Sequence, residues 1–100
     1  EEQPMSQTIL TAPAPQARPD YTGISDAMLY DIARHNASVL SAGLLNLARN
    51  AKDDEDRGHW VARRRLVKQQ ARVLNPEDRA EIIAQNEVWR LENLALPAAA

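Results

Sequence analysis

Five basic side chains, Arg57, Arg64, Arg65, Lys68 and Arg72, are the residues whose type and spacing most plainly bear on chemistry. On a helix, at about 100° per residue, they fall within roughly a quarter to a third of the circumference. Val61 lies among them, and no acidic residue stands between Arg57 and Leu74. Arginine forks match the geometry of carboxylates and phosphates. The stripe therefore reads as a surface for an acidic protein partner or a phosphate backbone, or as a solvated face balanced by carboxylates of a neighbouring helix.

Other constellations are weaker. The acidic run Asp53, Asp54, Glu55 and Asp56 raises the question of calcium. Counted from Asp53, Gly58 takes the sixth place of an EF-hand loop, but Arg57 stands fifth and Arg64 twelfth, where a closing glutamate is needed. The run reads instead as a helix cap. His35 and His59 are the only histidines, and the chain has no cysteine, so zinc lacks donors. No serine sits in a glycine-bracketed turn, and the three glycines form no phosphate-cradling loop. Glu77 and Glu81 are neighbours in an ordinary acidic first turn. The expectation is a protein without enzymatic activity, metal or cofactor.

These residues must be positioned by helices, since no strand-like alternation occurs. The first helix is expected from about Asp26 to Asn50, capped by Ser25 or Thr22, with Met28, Leu29, Ile32, Val39, Leu40, Leu44 and Leu47 on one broad face. Asn36 and Gly43 interrupt that face, and a glycine there implies close approach of another helix. The opposite face, with Ser38, Ser41, Ala42 and Leu45, is nearly uncharged where a solvated face normally carries Lys or Glu. Ala42 and Leu45 are accordingly expected in a symmetric self-association contact. The acidic run caps a second helix, from about Asp54 to Leu74, whose apolar half is broken by Arg63 and Gln70. Asn75, Pro76, Glu77 and Asp78 read as the cap and first turn of a third helix, from Pro76 to about Leu94. Ile82, Ile83, Val88, Trp89, Leu91 and Leu94 supply its apolar surface, and Trp60 and Trp89 are expected to lock the second helix to the third. A helix-turn-helix reading of these two helices would put Glu77, Asp78 and Glu81 against phosphates, which repels them.

Length and composition agree with a small helical domain. The chain has 100 residues and a formal net charge of −2, with arginine outnumbering lysine ten to two. Four of six prolines lie in residues 1–23, which are expected to be a disordered Pro/Ala-rich tail, with Ile9 and Leu10 its bulky apolar pair. Met5 and Ser6 read as a natural start, with residues 1–4 an added stretch. Residues 24–95 are expected to form the bundle domain, followed by a short C-terminal tail. A core of that size is marginal alone, which favours a partner subunit. No basic start and apolar run mark a signal peptide, and no stretch is long enough to span a bilayer. The absence of cysteine fits a reducing cytoplasm. The fold class expected is all-α, a three-helix antiparallel bundle. The function expected is a small cytoplasmic regulatory or interaction protein, a homodimer, that binds a protein partner through helix faces. The alternative is a nucleic-acid-binding protein using the basic face of the second helix.

Overall fold

The computed structural model describes residues 20–98 and is all-α. Three helices follow in order: α1 (Asp26–Arg49), α2 (Asp54–Val73) and α3 (Arg79–Ala95). They run up, down and up, and α1 is the central member, packing against both α2 and α3. The result is the expected three-helix bundle. Ser25 Oγ accepts the amide N–H of Met28, and Asp53 Oδ1 accepts that of Asp56, so each helix starts at a side chain that satisfies a free N–H.

The start of α3 differs from expectation. Asn75 does not open the helix: its side chain accepts the Glu77 amide, its carbonyl accepts the Asp78 amide, and residues 75–78 form a turn. Asp78, with φ −102° and ψ 88°, is non-helical, and its carboxylate caps Glu81. The proline pre-sets the turn rather than the helix.

The core is one cluster: Leu29, Ala33, Ala37, Leu40 and Leu44 of α1, Val67 of α2, Leu74 of the following turn, and Ile82 and Trp89 of α3. Trp89 is fully buried, whereas Trp60 only borders the cluster and meets the ring of His59 edge-on at 4.6 Å. The two tryptophans therefore do not jointly fasten α2 to α3. That link is the forked ion pair of Arg63 with Glu92, in which Nε donates to Oε2 at 2.7 Å and Nη2 to Oε1. The arginine that breaks the apolar half of α2 is thus the residue that reaches α3. Of the expected apolar surface of α3, Ile82 and Trp89 are buried, whereas Val88, Leu91 and Leu94 are 50%, 54% and 74% exposed and face solvent.

Two ends of the domain reach further than expected. Tyr21 packs against the cluster, so the ordered unit begins before residue 24. The Tyr21–Ile24 turn closes with Ile24 N–H donating to Tyr21 O at 3.1 Å, and Gly23 takes φ 89°, which L side chains rarely adopt. The rest of the expected tail, including Ile9 and Leu10, lies outside the described residues. At the other end, Leu96 caps α3 and lies against Gly43, where an added Cβ would stand 2.9 Å from Leu96 Cδ1. The interrupting glycine thus admits a close neighbour, the residue that ends α3.

Candidate functional site

The α1–α2 side of the bundle carries a groove of about 490 Å³. One wall is α2, with Arg64, Lys68 and Arg72 in successive turns; the floor and other wall are α1. From α1 come Arg34, Ala37, Ser38, Ser41, Ala42 and Leu45, and Ala71 of α2 closes the floor. Two features of the sequence, the basic stripe and the uncharged face of α1, thus meet at one place. The local cause is rotational phase. Val67 and Ala71 turn α2 toward α1, which leaves positions 64, 68 and 72 at the edge of the contact.

The five stripe residues separate. Arg64, Lys68 and Arg72 line the groove. Arg57 is tied to Asp54 one turn earlier, with Nη1 2.7 Å from Oδ1, and stands apart from it. Arg65 and Val61 are exposed and do not line the groove. Arg34 is the cation that the helix-2 stripe does not contain. It extends the uncharged α1 face by one turn, at positions 34, 38, 42 and 45, so the same helical spacing that marked Ser38, Ala42 and Leu45 leads to it.

The electrostatics favour an anion. Among the described residues, none of Arg34, Arg64, Lys68 and Arg72 has a carboxylate partner. Arg34 donates to the Tyr30 hydroxyl at 2.9 Å and lies over that ring at 5.5 Å, which fixes its guanidinium. Arg72 donates to Gln69 Oε1 at 2.9 Å. Arg64 Nε is enclosed and has no hydrogen-bond partner, a donor whose desolvation is uncompensated. The α3 carboxylates do not neutralise the stripe. Glu92 pairs with Arg63, while Glu87 takes the Arg90 guanidinium, with Nη2 2.7 Å from Oε1. Those bonds hold the Arg63 and Arg90 guanidiniums more firmly protonated than usual, the carboxylate hydrogen bond being the main cause in each.

A second polar group joins α1 to α3 and is part-buried. The Tyr21 hydroxyl donates to Glu87 Oε2 at 2.5 Å and accepts from Asn86 Nδ2 at 2.9 Å. Asn86 Oδ1 in turn accepts from Asn36 Nδ2 at 2.6 Å. Arg79 ties α3 to the start of α1 through the carbonyls of Ile24 and Tyr21 and the carboxylate of Asp26. This network joins the segment before α1, α1 itself and α3.

No cluster of metal-binding side chains occurs among the described residues, and no helix among them is long and apolar enough to cross a membrane. Comparison with protein-family models, curated proteins and solved structures finds no match for the chain.

Proposed function

We propose that this protein is a non-enzymatic interaction module that receives an acidic protein partner in the α1–α2 groove. The observation that carries the reading is the meeting of four cations without carboxylate partners, Arg34, Arg64, Lys68 and Arg72, around a floor of small side chains. Charge that is not neutralised within the fold steers and selects an oppositely charged partner. The small uncharged floor lets that partner come close and bury apolar surface as well.

Two other partners fit less well. A phosphate backbone gains nothing from a floor of Ala37, Ala42 and Leu45. A second copy docked through Ala42 and Leu45 would bring the four cations of each groove against those of the other, and like charges in an interface cost affinity.

The test compares the full chain with a variant in which Arg64, Arg65 and Lys68 are all changed to Gln. Poly-glutamate and a short duplex DNA serve as ligands. The variant should unfold within about 1 kcal/mol of the wild type, since Arg65 and Lys68 are exposed and the half-buried Arg64 loses an enclosed donor that has no partner, and should lose poly-glutamate binding by about tenfold or more. Unchanged poly-glutamate binding overturns the reading. So does duplex binding that is tighter and falls steeply and linearly with log salt.

A further inference from the structure

Resting on that reading, we infer that the groove takes its acidic partner as an α-helix, laid along α1 and α2 so that the bundle gains a fourth helix. Arg64, Lys68 and Arg72 stand four residues apart, so they form a row that rises about 12 Å along α2, about 6 Å of backbone per step, and winds about 40° round the helix at each step. Glutamates at every fourth position of a docked helix form a row of the same rise and inclination, so the two rows lie side by side when the helices cross at about −50°. Arg34 stands across from this row on α1 and flanks the same guest.

The floor separates a helix from an extended acidic segment of the same charge. It consists of helix sides, and no strand edge with free backbone N–H or C=O groups occurs among the described residues. An extended peptide would lay its backbone over Ala37, Ala42 and Ala71, with only the Ser38 and Ser41 hydroxyls of the floor to pair with, too few for a row of N–H and C=O groups. A helix satisfies its own backbone and presents only side chains. Small residues at helical spacing on α1 let helix axes approach to about 8 Å, at the close end of the usual range. This is the mode in which an amphipathic helix is laid into a groove, with charged residues along its edge.

The experiment uses the full chain and two synthetic peptides of about 20 residues, long enough to hold a helix. Both have the same composition. One carries Glu at every fourth position of an alanine- and leucine-rich helix; the other has its proline moved from the first position to the centre, which breaks the helix. Titration calorimetry should show the intact helix binding at least about tenfold more tightly. Ala42→Trp, at an exposed floor position, should abolish that difference by filling the groove. Ser38→Trp provides the same test if the first variant loses its helical circular dichroism. Equal affinity for both peptides, unaffected by either tryptophan but reduced by Arg64→Gln with Lys68→Gln, overturns the helical guest while leaving the acidic groove standing. Binding of neither peptide, or binding indifferent to the glutamine changes, overturns both.

Discussion

Tyr21 precedes the first helix, yet its hydroxyl is the hub that joins Glu87 and Asn86 and, through Asn86, reaches Asn36. Burial pushes the phenol up from its ordinary value, and the hydrogen bond to Glu87 adds to this. The neutral phenol is thus favoured in the folded state. Its contribution is fully present below pH 10.0, where the unfolded chain also holds the proton, and is lost as pH rises through the higher folded value. Urea denaturation between neutral pH and pH about 11 should show stability falling at the alkaline end, and Tyr21→Phe should flatten that part of the fall. At neutral pH the same variant should cost about 1–2 kcal/mol, because Asn86 and Glu87 each lose a partner in a partly enclosed site. A variant as stable as the wild type would mean that the network is incidental. Nothing local marks this hub, because Tyr21 lies among turn residues and its partners are 65 and 66 residues away. Asn36 was visible as a polar interruption of an apolar face, but not what it would bind.

At the level of elements, the helices were legible where their signals are local. Ser25 and Asp53 cap by reaching three residues ahead, so those starts could be read directly. The start of α3 is not legible in the sequence, because Asn75, Pro76, Glu77 and Asp78 satisfy the rules for a turn and for a helix start equally, and only the backbone of Asp78 decides between them. Val88, Leu91 and Leu94 belong to an apolar surface that encircles much of α3; which part of it is buried depends on where α1 lies, and sequence periodicity does not fix that. The glycines of α1 and α2 make a paired test. Gly58 is helical with nothing within 4 Å of an added Cβ, whereas an added Cβ at Gly43 meets Leu96. Gly58→Ala should therefore stabilise the protein by about 0.5–1 kcal/mol, the helix-propensity difference. Gly43→Ala should gain less, because Leu96 must give way. Thermal unfolding that ranks the two in the opposite order would contradict the described contact between α1 and the end of α3.

At the level of the whole molecule, the candidate site emerges only when two helices are placed together. The basic stripe was legible as spacing along α2, and the uncharged face as spacing along α1, but their junction depends on the relative rotation of the two helices. That rotation also divides the stripe, bringing Arg64, Lys68 and Arg72 to the groove and leaving Arg57 with Asp54. It adds Arg34, which helix 2 alone could not reveal, and it gathers Ala42 and Leu45 beside the cations. The groove is tested most directly by a heteronuclear NMR titration of the full, isotope-labelled chain with the glutamate-bearing helical peptide. Shifts should be confined to residues 34–45 of α1 and 64–72 of α2, with the α3 amides near Val88 and Leu91 unmoved. Shifts centred on α3, or spread evenly over all three helices, would contradict the groove as the binding site.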